Sequence, residues 1–67
     1  MYIICYERSF PQLDGRLISS YFIRFGVFNL REYGKKAEAM QFPSRKAAEA
    51  FLAEDMGNPK YHKVVKI

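Results

Sequence analysis

The sequence predicts a small α+β domain in which one helix packs on a mainly antiparallel sheet. Three observations indicate this fold class. One alanine-rich stretch, just after Pro43, has helical spacing of its apolar residues. Elsewhere, short aromatic and β-branched segments alternate with turn residues. The 67 residues, 49% of them hydrophobic, suffice for one packed core, so we expect a single domain over residues 1–67 with the order β-β-β-α-β.

The first two strands are predicted to form a hairpin. Residues 2–7 are apolar and rich in β-forming side chains, and the Asp-Gly pair at residues 14–15 is typical of a hairpin turn. Residues 17–29 fit both helical spacing and strand alternation. The aromatic and β-branched content of residues 21–28 favours a strand, in which Gly26 indicates a bulge or a close backbone approach.

A turn at residues 33–35 and a third strand at residues 36–42 are predicted next, although alanine and glutamate disfavour that strand. The helix is predicted to begin at Ser44, whose hydroxyl can accept a hydrogen bond from an amide of the first turn. It ends near Met56, because residues 57–59 contain a glycine that can take positive φ and a proline that cannot continue a helix.

Alternation of side chains assigns residues of the last strand and of the second strand to the two faces of the sheet. Residues 61–67 predict the last strand, and its pattern suggests that Val65 and Ile67 face the helix. In the second strand, alternation places Phe22 and Phe28 on one face and the row Tyr21, Ile23, Phe25 and Val27 on the opposite face. Because one helix covers one face only, we expect some aromatic surface to remain exposed.

Composition narrows the protein's class. No apolar run approaches the roughly 20 residues that span a bilayer, and no charged and apolar leader pattern indicates a signal peptide. Cys5 is the sole cysteine, which fits a reducing compartment. The net charge of +4 permits attraction to nucleic acid or to an acidic protein surface. A core of this size gives the fold little stability, and self-association into a homodimer would add to it.

The sequence contains few residues that could carry out catalysis. Cys5 and His62 could form a nucleophile and its base, but a lone cysteine in a strand is more often a small buried hydrophobe and such a histidine a surface residue. Cysteine and histidine lack metal-ligand spacing, and the glycines form no phosphate-binding loop. We therefore expect a protein that is not an enzyme and that needs no metal or cofactor.

Basic and aromatic residues are the candidates for binding. Interleaved in the chain, they could contact phosphates and stack on bases, whereas the alternative is a solvated face over an aromatic core. Charges at Arg45 and Lys46 oppose the helix dipole, which hints at a role in binding. Lys60, Lys63 and Lys66 decorate the last strand. The candidate residues are Arg24, Arg31, Lys35, Lys36, Arg45, Lys46, Phe22, Phe28 and Tyr33.

Residues 21–54 resemble the small arm-type DNA-binding domain at the N-terminus of many phage integrases. The matching residues are Tyr21-Phe22-Ile23-Arg24-Phe25, Gly34-Lys35-Lys36, Phe42, Ser44 and Lys46-Ala47-Ala48-Glu49-Ala50-Phe51-Leu52. The resemblance implies a sheet that enters the major groove, with Arg24, Lys35 and Lys36 facing the DNA. This sequence departs from the family at residues 37–40, which are not basic, and in its additional first and last strands.

Size and layout are also similar to small phage-encoded inhibitors such as anti-CRISPR proteins, which act by surface complementarity. Two functions are therefore expected. The first is a phage-type or mobile-element-type protein that contacts nucleic acid through a basic, aromatic-rich sheet surface. The alternative is a protein-binding inhibitor of a nucleic-acid-handling complex. In either case we expect a cytoplasmic location, in the host cell if the protein is phage-encoded, and no membrane partner.

Overall fold

Four antiparallel strands and one helix make up the fold. The computed structural model describes residues 1–67, apart from the Leu13 side chain. The strands are β1 (Tyr2–Phe10), β2 (Arg16–Phe25), β3 (Arg31–Gly34) and β4 (His62–Lys66), and the helix is α1 (Arg45–Glu54). They form one sheet in the order β3-β2-β1-β4, which confirms the predicted α+β class. No helix among the residues described has the length and apolar character needed to cross a membrane.

The β1–β2 hairpin is confirmed and is longer than predicted. After the 3-10 turn Pro11–Leu13, Asp14 and Gly15 both take positive φ, 57° and 71°, as the Asp-Gly pattern indicates. The pairing of β1 with β4 ends at Tyr6. The hairpin therefore projects beyond the four-stranded part of the sheet as a two-stranded ribbon.

A β-bulge decides which aromatic residues of β2 enter the core. The register shifts between Phe22 and Arg24, so that Phe22 and Phe25 lie on the same face and their ring centroids are 5.2 Å apart. The predicted separation of these two side chains onto opposite faces is therefore wrong. β2 also ends earlier than predicted, because Val27–Asn29 is a 3-10 turn. The bulge lies before Arg24 and not at Gly26, where the neighbouring group is the end of the Glu32 side chain and not another backbone.

The third strand lies at Arg31–Gly34 and not at residues 36–42. The predicted turn at residues 33–35 is therefore also wrong, since it overlaps this strand. Lys36–Glu38 is a 3-10 turn, in keeping with the weak strand propensity of alanine and glutamate. Beyond it, Phe42 exchanges two backbone hydrogen bonds with Tyr2, which satisfies these groups where β2 has diverged from β1.

The helix matches its prediction closely. Ser44 is the N-cap, and its hydroxyl accepts a hydrogen bond from the Ala47 amide at 3.1 Å. Gly57 takes a φ of 75° just after the helix ends. The core under α1 consists of Ile4, Phe22, Phe42, Ala48, Leu52 and Met56.

The strand faces correct one further prediction. Ile4 pairs with Val64, so Val64 faces α1 and packs against the core. Val65 pairs with Ile3 and therefore points to the opposite face. Ile67 lies beyond β4 and is exposed. The predicted alternation of this strand is confirmed, but the opposite set of residues faces the helix.

Candidate nucleic-acid interface

The helix covers only part of the sheet face on which it packs. It lies over the end of the sheet around Ile4, Phe22 and Val64. Toward the hairpin, side chains of the same face lie beyond the helix, and many are partly or fully exposed. We call this surface the aromatic–basic face. Its residues are Tyr6, Arg8, Phe10, Arg16, Arg31, Tyr33, Lys60, Tyr61 and His62.

Charge is segregated between the two faces of the sheet. Within the four strands, all of whose residues the structure describes, the acidic residues are Glu7 and Glu32, and both lie on the face opposite α1. Each forms a salt bridge with a basic side chain there: Lys63 Nζ lies 3.0 Å from Glu7 Oε1, and Arg24 Nε lies 3.0 Å from Glu32 Oε1.

The lysines and arginines of the β-strands that lie on the helix side of the sheet have no acidic strand residue beside them. They are Arg8, Arg16, Arg31 and Lys66, and the first three belong to the aromatic–basic face. Lys60, in the loop before β4, adds a fourth positive charge to this face. The charges of the opposite face are thus neutralised in pairs, whereas the aromatic–basic face keeps a local excess of positive charge that can attract an anion.

Three rings form the centre of the aromatic–basic face. The ring centroids of Tyr6 and Tyr33 are 5.8 Å apart, and His62 lies 5.1 Å from the first and 5.6 Å from the second. The three interplanar angles lie between 52° and 60°, so the rings contact one another in tilted pairs. Tyr61 extends the cluster by an edge contact with Tyr6.

Hydrogen bonds fix the histidine of this cluster. His62 Nδ1 lies 2.7 Å from the Lys60 carbonyl oxygen, which can only accept, so this nitrogen carries the hydrogen in the neutral ring. Nε2 then accepts from the Tyr33 hydroxyl. A tyrosine hydroxyl is protonated at neutral pH and can donate, and burial raises the pKa of Tyr33 further in the same direction. The network holds both rings in place.

Arg8 is the basic residue that aromatic contacts hold in position. Its guanidinium carbon lies 5.2 Å from the centroid of the Phe10 ring and 5.0 Å from that of Tyr61, within the range of cation–π attraction. Sequence reasoning missed Arg8. Alternation along β1 places it on one face with Tyr6 and Phe10, and this pattern could have identified it.

A groove crosses the aromatic–basic face. Its floor comes from the strands and includes Tyr6, Ser20, Tyr33 and His62. On one side of it lie Leu30, just before β3, and Arg31, the first residue of β3, and on the other side lie Pro59 and Lys60 in the loop before β4. Its volume is about 680 Å³, and it is open to solvent.

The candidate binding residues predicted from the sequence lie on different parts of the structure and do not form one site. Arg31 and Tyr33 belong to the aromatic–basic face. Arg24 lies on the opposite face in its pair with Glu32. Lys35 and Lys36 are exposed where the chain leaves β3, and Arg45 and Lys46 are exposed at the start of α1, where the Arg45 guanidinium lies over the Tyr2 ring.

The two candidate phenylalanines of β2 and its following turn have opposite environments. Phe22 has no exposed surface and belongs to the core, which corrects its assignment as a contact residue. Phe28 is 91% exposed at the tip of the turn after β2, with a left-handed φ of 57°. Val27 and Leu30 beside it are also largely exposed. We call these three residues the apolar tip.

The cysteine and the histidine do not meet. His62 pairs with Tyr6 and faces the helix side, whereas Cys5, the next residue of β1, points to the other side of the sheet. Burial raises the pKa of the Cys5 thiol, which disfavours the reactive thiolate. Among the residues described, no three histidine, cysteine or acidic side chains cluster as metal ligands would.

Comparison of the chain with known protein families, curated proteins and solved structures found no match.

Proposed function

We propose that this protein is a non-enzymatic binding protein that contacts nucleic acid through the aromatic–basic face. The observation that carries the proposal is the segregation of charge between the two sheet faces. The opposite face pairs each strand carboxylate with a lysine or arginine, while Arg8, Arg16, Arg31 and Lys60 lie around partly exposed rings. A net charge of +4 spread over the whole surface would give no such asymmetry.

The chemistry of the face matches the two parts of a nucleic-acid strand. Guanidinium and ammonium groups attract phosphates, and arginine binds them in a bidentate manner. Tyrosine and histidine rings offer surfaces for stacking, which tolerates any base. Because Arg8 is already held between Phe10 and Tyr61, it loses less side-chain freedom on binding than an unrestrained arginine would.

The test is a binding titration by fluorescence anisotropy, with labelled single-stranded and duplex oligonucleotides at two salt concentrations. Four phosphate contacts predict that the affinity falls about 50-fold for single strands and about 150-fold for duplex between ~50 and ~200 mM salt. Absence of binding to either form near ~50 mM salt, where phosphate contacts are strongest, would refute the proposal.

A protein partner is the second candidate function, and the apolar tip favours it. A non-glycine residue with left-handed φ costs roughly 1–2 kcal/mol, and a large exposed apolar side chain gives no compensating burial. Three backbone hydrogen bonds among residues 26–30 hold this turn in shape. Such a rigid apolar projection suits insertion into a pocket of a protein, as an inhibitor of a nucleic-acid-handling complex would require.

Phe28→Ala tests this second function. We expect the variant to fold normally, because the side chain is exposed, and to lose a protein partner that the wild-type chain retains. The measurement is affinity capture with both proteins from the lysate of the cells that carry the gene, after nuclease treatment. A partner retained equally by both proteins, or no stoichiometric partner at all, would contradict a role for the tip.

A further inference from the structure

We infer that the groove on the aromatic–basic face binds one unpaired nucleotide of a single-stranded nucleic acid. Its base would stack on the ring cluster of Tyr6, Tyr33 and His62, and its phosphates would lie toward Arg31 and Lys60. This inference rests on the proposed function and extends it, because it names the form of nucleic acid and the site that selects it.

The shape of the groove supports a planar ligand. Its floor is mainly aromatic, and the side chains of Tyr6, Tyr33 and His62 are half-buried, so part of each ring remains accessible. The hydrogen bonds of Tyr33 and His62 fix two of these rings before any ligand arrives. The volume of about 680 Å³ lies within the range of ~300–1,000 Å³ that is usual for small-molecule sites.

Positive charges lie on both sides of the ring cluster. Arg31 is in the edge strand β3 and Lys60 precedes the other edge strand β4, so a nucleic-acid strand laid across the sheet over the ring cluster would pass near both charges. The Ser20 hydroxyl on the floor supplies a polar group that can donate or accept a hydrogen bond. A chain of alternating bases and phosphates has this arrangement of planar and anionic groups.

Whether the bound nucleotide is paired or unpaired depends on whether its base can reach the rings of the groove. In a duplex, the flat surfaces of the bases are stacked on one another and cannot reach rings at the bottom of a groove without being flipped out. An unpaired base reaches them without that cost. The groove therefore favours single strands, while duplex binding would use only the positive charges around it.

The test compares the affinity of the full chain for a single-stranded oligonucleotide of about 12 nucleotides and for the matched duplex. The key variant is Tyr6→Leu. We expect it to lower the single-strand affinity by about 5- to 150-fold, the effect of losing one stacking contact, and to leave the duplex affinity unchanged. Tyr6→Phe keeps the ring and should bind like the wild type. Tyr2→Leu, on the same strand and face but at the other end, is the matched control.

The outcomes separate this inference from the function on which it rests. If single strand and duplex bind equally well and Tyr6→Leu changes neither affinity, the nucleotide site is refuted while nucleic-acid binding stands. If neither form binds at low salt, both fail. Should Tyr6→Leu not fold, the wild type is photocrosslinked to a strand containing 5-iodouracil. Adducts on Tyr6, Tyr33 or His62 support the site, and adducts confined to other residues overturn it.

Discussion

Phe22→Ala is expected to remove a large share of the protein's free energy of unfolding. The side chain has no exposed surface, and its ring centroid lies 5.2 Å from that of Phe25 and 5.5 Å from that of Phe51. Removing a buried phenylalanine costs ~3–5 kcal/mol. A chain of 67 residues has a total stability of roughly 3–10 kcal/mol, so the loss is a large share of it.

Urea unfolding followed by circular dichroism measures this effect. Phe28→Ala is the matched control, because it removes the same atoms from a position that is 91% exposed. We expect the control to change the free energy of unfolding by less than about 0.5 kcal/mol, as surface substitutions usually do. Similar losses in the two variants would show that the packing around Phe22 does not hold the sheet to the helix.

Replacing two arginines of the aromatic–basic face is expected to abolish most nucleic-acid binding. Arg8→Gln with Arg31→Gln removes two of the four positive charges on that face. If both contact phosphates, the affinity for single strands near ~50 mM salt should fall by on the order of 50-fold. The slope of log affinity against log salt should also become shallower by about 1.4.

Lys35→Gln with Lys36→Gln is the charge-matched control for this pair. It lowers the net charge by the same amount, at exposed residues that lie outside the aromatic–basic face. We expect it to leave the affinity within a few-fold of the wild type. Equal losses in the two double variants would mean that total charge, and not its position on one face, governs binding. A larger loss in the lysine pair would instead support the contact residues predicted from the sequence.

Local chemistry accounts for the parts of the fold that the sequence predicts well. Ser44, the alanine-rich segment and Gly57 determine the helix through capping and propensity, which depend on neighbouring residues only. The hairpin follows in the same way from Asp14 and Gly15. Such elements can be located without knowledge of the rest of the molecule.

The errors concern features that depend on tertiary structure. Residues 36–42 were predicted as a strand, yet β2 is paired on this side by Arg31–Gly34. The bulge after Phe22 shifts the alternation of β2, and no residue in the sequence marks it unambiguously. Propensity alone does not specify which strand finds which partner.

The candidate site was predicted only in part for the same reason. Arg31 and Tyr33 were identified because they are basic and aromatic, but Arg24 fits that description equally well and lies on the other face. Recognising Arg8, Tyr6 and His62 as neighbours needs the register of β1 with both of its partners. It also needs the boundary of the area that α1 covers.

The pairing of β1 with β4 has a consequence for how the protein folds. Ile3 and Val65, which face each other in the sheet, are about 60 residues apart in the chain, so the central strand gains one of its two partners only by closing a very long loop. The β1–β2 hairpin and the helix can form early from local contacts. Until β4 docks, however, the backbone of β1 presents an unpaired edge beside Ile3 and Ile4, and this interval is when the chain is most exposed to aggregation.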